Sequence, residues 1–554
     1  IGEVRDMKCL LVIGANAPET HAVASYWMNV AVKTHGDPAG LIVIDPQWNL
    51  LCDVANVWLR PKPGTDSVLL NGMAKYILDE GLANLPFIEA RTGGFDDWKA
   101  TLADFTLESV AEITGVPAEQ IALAARIYAT GYDHQEGGGW GPSGAFFGAG
   151  LTQQRGGVDN VLALNNLALV TGNVGREFAG VNTFVGDNNT QGASDMGVAP
   201  DRLPGWASVT DAEARARCEE LWLSRWAPGA GQPPALPQEA GFTLSELPGA
   251  LERGQVRALW VQGEDLLGVA PDQERMERAL ERAAFVVVQD MFLTPTAQLA
   301  DVVLPAASGY EKDGTYTNLE RRVQRVRRAV PPMGNSRPDW QVFLELAQRF
   351  GYDLPYRHPS QIMDEIAAMA PDYAGINYRR IEQSGLHWPV PAADHPGTPT
   401  LHLDRFATAD GKAQFVPARF ITPSETTDTE YPLVLQTGAS LYHWDSGERT
   451  RRSTGPIALE PEPTVTINPA DAAAASVRDG ELVRVTSRHG AVSVRARVNT
   501  ELPAGVIHLD VHWPQAPFNR VVNTAIQEET GTPELKYTAA RIERVPVPEA
   551  AAAD

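Results

Sequence analysis

Cysteine is scarce in this chain, which contains three in 554 residues. Cys9, Cys52 and Cys218 lie far apart and form no C-x-x-C motif. The chain therefore has neither a disulfide framework nor a cysteine ligand set for zinc or an iron-sulfur cluster. Runs of about 18 apolar residues are also missing, so we expect no membrane-spanning segment.

Positive charge is scarce as well, because 46 Lys and Arg stand against 69 Asp and Glu, a net charge of -23. Such a charge repels phosphate backbones and anionic lipid, which argues against nucleic acid as a partner. The length predicts several domains, and 44% hydrophobic residues are typical of folded proteins. The first residues, IGEVRDMKCL, do not form a signal peptide, so we expect a cytoplasmic protein.

Two similar βαβ patterns occur in the chain. The first contains the apolar runs CLLVIGAN (9–16) and LIVIDP (41–46), and the second contains ALWVQGED (258–265) and FVVVQD (285–290). Helix-like sequence separates the two runs of each pair, and a further apolar segment follows each pair. Short apolar runs of this kind indicate buried parallel strands. The duplication predicts two related, doubly wound α/β domains that bind nucleotides.

The end of each first strand carries a glycine followed by polar residues, at Gly14 and at Gly263. Backbone amides and a helix N-terminus can meet a phosphate at such a turn. Asp45 and Asp290 end the next strands, where dinucleotide folds use an acid to accept hydrogen bonds from ribose or base. Neither turn is a G-x-G-x-x-G fingerprint, so a plain strand-to-loop turn is the alternative at each. Together they predict two nucleotides, or one ligand with two nucleotide arms.

A glycine-dense segment, GYDHQEGGGWGPSGAFFGAG (131–150), lacks the G-K-[ST] that a P-loop requires. Two interpretations remain open for it. One is close approach of the backbone to a large flat ligand, and the other is a flexible loop followed by the buried strand AFFGAG.

The segment GVIHLDVHW places His508, Asp510 and His512 on one strand face, because strands have a period of two. These side chains are a possible metal-ligand trio. Histidines on a half-buried strand more often form local hydrogen bonds, and we expect no metal ligand in this chain.

The stretch TNLERRVQRVRR (317–328) concentrates arginine in an acidic protein. A salt-linked surface is the simpler interpretation, and an anion-lined channel or docking surface is the other.

Beyond a Pro/Gly-rich stretch at 388–400, the sequence alternates like strands. D-G and H-G turns separate these strands, which predicts a C-terminal β domain, most simply a barrel. We expect three domains: an α/β domain at 1–186, a second α/β domain at 187–405, and a β-barrel domain at 415–545.

The string QRGGVDNVLALNNLALVTGNVGREFAGVN, followed by GDNNTQGASDMG, resembles the molybdopterin oxidoreductases, and most closely the formate dehydrogenase catalytic (alpha) subunit. Further segments similar to this family include KPGTDSVLLNG, QLADVVLPAAS and GTPELKYTAARIE. The resemblance implies a bis-molybdopterin guanine dinucleotide cofactor that carries molybdenum or tungsten. It also implies that two related α/β domains hold the nucleotide arms and that a C-terminal β-barrel domain closes over them.

The resemblance implies three groups of cofactor-binding residues. The first arm would be bound by Gly14, Asn16, His21, Asp45, Gly64, Thr65 and Asp66, with Gly150 and Gln153 nearby. The second arm would be bound by Gly263, Glu264, Asp265, Gln289, Asp290 and Thr294. The pterin would be surrounded by Thr437, Tyr442, His443, Asn519, Asn523, Lys536 and Tyr537. Gln47 stands where the family usually has arginine after Asp-Pro, which implies an altered guanine or phosphate contact.

The family's iron-sulfur cysteines, and the cysteine or selenocysteine and histidine at its metal, have no counterpart in this sequence. The sequence begins at Ile1, close to an apolar run and without an initiator methionine. We therefore expect that an N-terminal part is missing or separate. An iron-sulfur cluster would lie on that segment or on a partner chain, and no catalytic residue is expected in this chain.

The resemblance also implies a substrate site with two substitutions. Formate dehydrogenases place an arginine before the glycine of a G-Q-N-N-x-Q-G segment, whereas VNTFVGDNNTQG has Val185 and Asp187 at the arginine and glutamine positions. Val185 cannot pair with a formate carboxylate as a guanidinium does, and Asp187 would repel it. The substrate is then formate in an unfamiliar anion site, or another small molecule.

Two functions remain open. One is a formate-dehydrogenase-like oxidoreductase subunit that works with iron-sulfur electron-transfer subunits. The other is a scaffold that has lost catalysis, as the related domain has in the large peripheral subunit of respiratory complex I. A nicotinamide-dependent dehydrogenase would require G-x-G-x-x-G within a βαβ unit, and neither unit has it.

Overall fold

The structure is a computed structural model, and it describes residues 1–33, 39–131, 141–184, 186–226 and 235–545. The chain divides into two compact units. Unit 1 comprises Ile1–Phe184, Gly268–Glu274 and Thr400–Asp554, and unit 2 comprises Val185–Leu267 and Arg275–Pro399. None of the described helices combines the length and hydropathy that a membrane crossing requires.

The described residues contain strands of two to eight residues. In chain order they are β1 (Cys9–Ile13), β2 (Gly40–Ile44), β3 (Val57–Leu59), β4 (Thr92–Gly93), β5 (Ser143–Phe147), β6 (Gly180–Thr183), β7 (Arg202–Leu203), β8 (Ala207–Ser208), β9 (Ala258–Gln262), β10 (Phe285–Asp290), β11 (Val302–Pro305), β12 (Gly314–Thr317), β13 (Arg322–Val326), β14 (Leu386–His387), β15 (Ala413–Gln414), β16 (Leu433–Gly438), β17 (Thr464–Ile467), β18 (Leu482–Ser487), β19 (Ala491–Val498), β20 (Val506–Asp510) and β21 (Thr538–Arg544).

Helices of four to fifteen residues connect these strands. They are α1 (Ala17–Thr20), α2 (Ala22–Lys33), α3 (Asp66–Asp79), α4 (Leu85–Arg91), α5 (Phe95–Ala100), α6 (Leu107–Thr114), α7 (Ala118–Thr130), α8 (Ala149–Thr152), α9 (Gly157–Thr171), α10 (Thr190–Asp195), α11 (Ala212–Leu223), α12 (Leu247–Glu252), α13 (Leu266–Val269), α14 (Gln273–Arg282), α15 (Pro295–Gln298), α16 (Asp339–Arg349), α17 (Pro359–Met369), α18 (Thr454–Leu459) and α19 (Pro469–Ala474).

A five-stranded parallel sheet of order β3-β2-β1-β5-β6 lies in unit 1. Its central strand β1 is buried on both faces. Leu11 and Ile13 pack in one apolar cluster with residues of α3, α7 and α9, whereas Leu10 and Val12 pack in another with residues of α2. The predicted doubly wound α/β arrangement is therefore confirmed for this sheet, and it follows from a strand that is apolar at every position.

A closed barrel of order β16-β20-β17-β19-β18-β21 forms the C-terminal part of unit 1. Alternate residues of its strands, among them Leu435, Val485 and Ile507, pack together in one apolar cluster. The predicted β-barrel is thus confirmed. The H-G dipeptide that ends at Gly490 lies in the turn between β18 and β19, where Ser487 N–H donates to the Gly490 carbonyl.

Unit 2 contains a parallel sheet of order β11-β10-β9 and an antiparallel sheet of order β12-β13-β14. The first is the predicted second βαβ pattern. The arginine-rich stretch includes β13, whose side chains pair with carboxylates: Arg322 with Glu320 at 2.9 Å, and Arg325 with Glu382 at 2.9 Å. These pairs support the salt-linked interpretation of that stretch.

Replacing Leu11 by Ala should destabilise unit 1 by about 3 kcal/mol, because the side chain is fully buried in the centre of the sheet. Urea unfolding followed by far-UV circular dichroism measures the shift in midpoint. Val23→Ala on the exposed face of α2 is the control and should leave the midpoint unchanged. Equal midpoints for Leu11→Ala and wild type would contradict the assigned core.

Candidate functional site

The carboxyl ends of β1, β2 and β5 lie next to one another in unit 1. Gly14 follows β1 with φ +57°, and a Cβ added there would lie 2.7 Å from the Leu151 nitrogen. The Gly150 N–H donates to the Gly14 carbonyl at 3.0 Å. The structure therefore brings the predicted residues Gly14 and Gly150 into direct backbone contact, and only glycine fits at position 14.

Asn16 lies at the N-terminus of α1, just beyond Gly14. Its Oδ1 is buried and accepts no hydrogen bond from the described residues. Further along, the His21 ring stacks on Phe184 with centroids 4.5 Å apart. Buried polar atoms almost always have a partner, so the Asn16 oxygen is suited to accept a hydrogen bond from a ligand.

Asp45 directly follows the neighbouring strand β2 and is half-buried. Its Oδ1 accepts the Gln47 N–H at 2.9 Å, and none of the described residues donates to its Oδ2. Burial, reinforced by the Asp66 carboxylate, raises the pKa of Asp45 to about 7, although the Gln47 hydrogen bond acts in the opposite direction. Asp45 therefore presents an acceptor oxygen that titrates near neutral pH.

Gly64, Thr65 and Asp66 form the start of α3. Gly64 adopts φ +84°, and a Cβ there would lie 2.8 Å from Pro423. The Thr65 hydroxyl donates to the Lys62 carbonyl at 2.7 Å. Burial raises the pKa of Asp66 to about 6, and its Oδ2 accepts a hydrogen bond from the Gln154 amide at 2.8 Å. The polar atoms of this turn thus largely bind other protein atoms.

Lys536 reaches the same cluster from the segment before β21. Its backbone N–H donates to the Gln153 carbonyl at 3.1 Å, and its Nζ donates to the Thr437 carbonyl at 2.5 Å. Burial lowers the pKa of Lys536 to about 8, although the Asp45 carboxylate acts in the opposite direction. The structure therefore places one half-buried ammonium beside the carboxylate that ends β2.

Glu534 holds this segment in place and is only 1% exposed. Its Oε1 accepts the Arg155 N–H at 3.3 Å. Its Oε2 accepts the Ser424 N–H and the Asn523 amide, both at 3.2 Å, and also the Ser424 hydroxyl. Sequence analysis missed Glu534, although it lies within the GTPELKY string that contributes to the resemblance.

Several residues of the predicted pterin group also bind other protein atoms. The Asn523 amide donates to the Tyr537 carbonyl at 2.5 Å, and the Thr437 hydroxyl donates to the Leu535 carbonyl at 2.9 Å. Asn519 donates to the Ala270 carbonyl at 2.7 Å. These contacts show how the residues shape the loop around Lys536.

Two members of that predicted group lie in the loop after β16. His443 Nε2 donates to the Glu460 carbonyl at 2.8 Å, and its Nδ1 lies 3.1 Å from the Thr450 hydroxyl. Tyr442 is 39% exposed. Among the described residues, no hydrogen bond links either side chain to Lys536 or Asp45.

In unit 2, a second cluster lies at the carboxyl ends of β9 and β10. Gly263 follows β9 with φ +65°, and nothing lies within 4 Å of the place where a Cβ would be. Its N–H donates to the Gln289 carbonyl at 2.9 Å. Gln289 donates its amide to Asp339 at 2.7 Å, but none of the described residues donates to its buried Oε1. The turn after β9 thus has open space beside Gly263, and the neighbouring strand has a buried acceptor, Gln289 Oε1.

Acidic and hydroxyl side chains surround this second turn. The Glu264 carboxylate accepts the Asp265 N–H at 2.9 Å, and Asp265 Oδ1 accepts the Thr296 N–H at 3.0 Å. The Thr294 hydroxyl accepts the Ala297 N–H and caps α15. These residues fix the loop backbone.

Asp290 ends β10. Its Oδ1 accepts the N–H groups of Met291 at 2.6 Å and Phe292 at 3.2 Å, and none of the described residues donates to its Oδ2. Asp290 therefore presents an available acceptor oxygen at the end of the second strand of its pattern, as Asp45 does in unit 1.

The possible metal trio on β20 is not formed. Within the described parts of the chain, no three His, Cys, Asp or Glu side chains are arranged to hold a metal ion. Asp510 accepts the Thr464 hydroxyl at 2.7 Å, while His512 donates to the Asp445 carbonyl and accepts the Ser440 N–H at 2.8 Å. Burial lowers the pKa of His508 to about 3. Local hydrogen bonds therefore occupy two of the three side chains, which supports the local-hydrogen-bond interpretation of this segment.

Two sequence features lie at or beyond the limits of the described residues. Val185 and residues 132–140 of the glycine-dense segment lie outside them. Asp187 is exposed, and its carbonyl accepts the Thr190 hydroxyl at 2.9 Å.

Comparison with known proteins gives a consistent result. The profile of the molybdopterin oxidoreductase family matches residues 1–349, and that of the molybdopterin dinucleotide binding domain matches residues 433–539. The chain is 38% identical to the F420-dependent formate dehydrogenase subunit alpha of Methanocaldococcus jannaschii, over 98% of this chain and 78% of that protein. It is 34% identical to formate dehydrogenase H of Escherichia coli, over 98% and 74%. Acetylene hydratase from Pelobacter acetylenicus has a similar fold, with a TM-score of 0.74, 21% identity, and coverage of 97% of this chain and 78% of that chain.

Replacing Glu534 by Ala should lower the thermal midpoint, because four hydrogen-bond donors would lose a buried acceptor. We also expect the free energy of unfolding to fall by about 3 kcal/mol, as measured by chemical unfolding. Glu528→Ala is the matched control, since Glu528 is exposed. Unchanged stability in Glu534→Ala would show that the buried carboxylate does not hold the segment.

Proposed function

Because the chain belongs to the molybdopterin oxidoreductase family, we propose that it binds a bis-molybdopterin guanine dinucleotide and acts as a formate-dehydrogenase-like oxidoreductase subunit. The dinucleotide-binding domain match indicates a molybdopterin cofactor that carries molybdenum or tungsten. The observation that carries the proposal is the pair of buried acceptors without donors, Asn16 Oδ1 and Gln289 Oε1, one at each strand-end turn. Two similar sites suit a ligand with two nucleotide arms.

In unit 1, the donors and acceptors present suit one arm. A guanosine carries N–H and O–H donors, which Asn16 Oδ1 and Asp45 Oδ2 would accept. The backbone N–H groups that follow Gly14 would face phosphate oxygens at the start of α1. Lys536 would contribute a positive charge toward the anionic pterin or phosphate.

In unit 2, the other arm would be held by Gly263, Gln289 and Asp290. Gly263 leaves room for close approach of a ligand to the backbone. Gln289 Oε1 and Asp290 Oδ2 would accept hydrogen bonds from ribose or base. Asp265 and Thr294 would keep the loops in shape from behind.

When bound, the molybdenum or tungsten cofactor supplies two-electron redox chemistry. The chain's own residues bind and orient it and tune its electrostatics. Lys536 Nζ keeps its proton at neutral pH, since its pKa lies at about 8, and the Thr437 carbonyl fixes its direction. A fixed ammonium in a half-buried position stabilises nearby negative charge more strongly than it would in open water.

The substrate is a small molecule, and formate is the first to test because related alpha subunits are named for it. The resemblance implies that Val185 and Asp187 occupy the positions at which formate dehydrogenases have arginine and glutamine, so formate would require an anion site built from other residues. The electrons would pass to an iron-sulfur segment or partner subunit.

Elemental analysis for molybdenum, tungsten and iron tests the proposal, together with a count of guanine nucleotide released by acid from the same sample. We expect one molybdenum or tungsten and about two guanine nucleotides per chain. Such a result leads to substrate assays, beginning with formate. A chain without metal or nucleotide would overturn the enzymatic proposal and favour a scaffold within a larger redox complex.

Replacing Gly263 by Ala should lower the guanine nucleotide count from about two to about one per chain, because the methyl group would occupy the open space beside the backbone. Gly254→Ala is the matched control, since Gly254 also has a positive φ of +69° and no atom within 4 Å of the place where its methyl group would lie. Both variants carry the same backbone strain. If both retain the wild-type count, Gly263 does not lie against a nucleotide arm.

A further inference from the structure

Arg60 follows β3 at the same edge of the sheet as Asp45. Its guanidinium lies over the Trp58 ring, 4.5 Å from the centroid. Its Nε and Nη2 donate to the Pro46 carbonyl at 3.3 and 3.2 Å, and the Trp58 indole N–H donates to the Asp45 carbonyl at 2.9 Å. Nη2 also donates to the Glu501 carbonyl at 3.4 Å, so a flat ring and two carbonyls hold the guanidinium near Asp45.

No ion-pair contact holds the positive charge of Arg60. Among the described residues, its guanidinium forms no salt bridge and its Nη1 donates no hydrogen bond, although the Asp45 carboxylate lies near enough to interact with it electrostatically. Arg5 also lies over a tryptophan, Trp27, but pairs with Asp6 at 3.4 Å. In a chain with a net charge of -23, a guanidinium held without an ion-pair contact is suited to bind an acceptor from outside the protein.

The sheet order shows which part of a nucleotide arm Arg60 would meet. The strands run β3-β2-β1, and neighbouring strands lie about 4.8 Å apart, so the end of β3 is about 10 Å from the end of β1. In the proposed function, the phosphates of the arm would bind at the turn that follows β1. Arg60 therefore lies toward the nucleoside end of the arm, next to Asp45.

We propose that Arg60 is a specificity-determining residue that recognises, together with Asp45, the guanine base of the arm bound in unit 1. This inference rests on the proposed function, since it requires a guanine nucleotide in that unit. Guanine presents the donors N1–H and N2–H₂ beside the acceptors O6 and N7. The Asp45 carboxylate accepts from the donors, and the Arg60 guanidinium donates to the acceptors. Cytosine and adenine lack this pairing of two donors with two acceptors.

The position of Arg60 is also relevant to Gln47, where the resemblance implies a substitution. Gln47 replaces the arginine that the resemblance implies after Asp-Pro, and Arg60 donates to the carbonyl of Pro46, immediately before Gln47. If that implication is right, Arg60 would supply a guanidinium next to the position from which the implied arginine is missing.

Isothermal titration calorimetry tests the inference: guanosine monophosphate and its 7-deaza analogue are titrated into this chain, prepared without cofactor. The analogue lacks only the N7 acceptor. Wild type should bind the analogue roughly fivefold more weakly, whereas Arg60→Gln should bind guanosine monophosphate about tenfold more weakly than wild type and not distinguish the two. Arg60→Lys should give an intermediate loss, and Arg5→Gln is the matched control that should behave as wild type.

Four results would overturn the inference, and the first three concern binding alone. They are equal affinity of wild type for both nucleotides, no binding of guanosine monophosphate by a folded wild-type chain, and full discrimination in Arg60→Gln. A purely structural role, through the carbonyls of Pro46 and Glu501, predicts an equal loss for both nucleotides with a lower thermal midpoint, and it would also overturn it. The count of nucleotide released by acid from the cofactor-loaded wild type separates the two proposals. A count of about two supports the proposed function even when the calorimetry contradicts the role of Arg60.

Discussion

A parallel strand that is buried on both faces carries apolar side chains along its length, so polar chemistry is confined to its ends. This constraint determines where both candidate sites lie. In unit 1, β1 and β2 are buried at every position, and Gly14 and Asp45 are the first residues beyond them. In unit 2, Gly263 follows β9, and Asp290 closes β10. The sites are therefore consequences of how the sheets are packed.

Around these strand ends, side chains divide into two kinds. Some hold the loops, as Asp265, Thr294 and Glu534 do through hydrogen bonds within the protein. Others keep an acceptor atom available, as Asn16 and Gln289 do. Loss of the first kind would disturb shape, whereas loss of the second would remove a ligand contact while leaving the fold intact.

Sequence reasoning predicted the features that depend on local pattern. The strands of both βαβ units follow from short apolar runs, and the barrel follows from alternation and turns. Glu534 could not be predicted, because its partners Arg155 and Ser424 are distant in sequence and become neighbours only in the folded unit. The same limit applies to His508, Asp510 and His512, because period two places side chains on one face but does not show which partners satisfy them.

The same limit applies to the predicted pterin group. Its members share short motifs with a family, yet Asn523 and Thr437 direct their polar atoms to nearby carbonyls. Arg60 lies in no predicted group, since its importance depends on the ring beneath it and on the absence of an ion pair among the described residues. Properties of this kind arise from tertiary contacts, so the spacing of residues in the sequence does not reveal them.

If the proposed nucleotide arm binds at Asp45, the half-buried carboxyl of that residue would make cofactor uptake a proton-releasing process. With a pKa of about 7, it is roughly half protonated at neutral pH in the cofactor-free chain. A ligand that donates hydrogen bonds to it favours the ionised form, so binding expels part of a proton and is assisted by rising pH. Between pH 3.8 and about 7, the unfolded chain has lost the Asp45 proton while the folded, cofactor-free chain still holds it. A rise in pH through this range therefore lowers the free energy of unfolding of the cofactor-free fold. Rising pH thus favours binding of the cofactor and destabilises the cofactor-free fold, and both effects arise from Asp45.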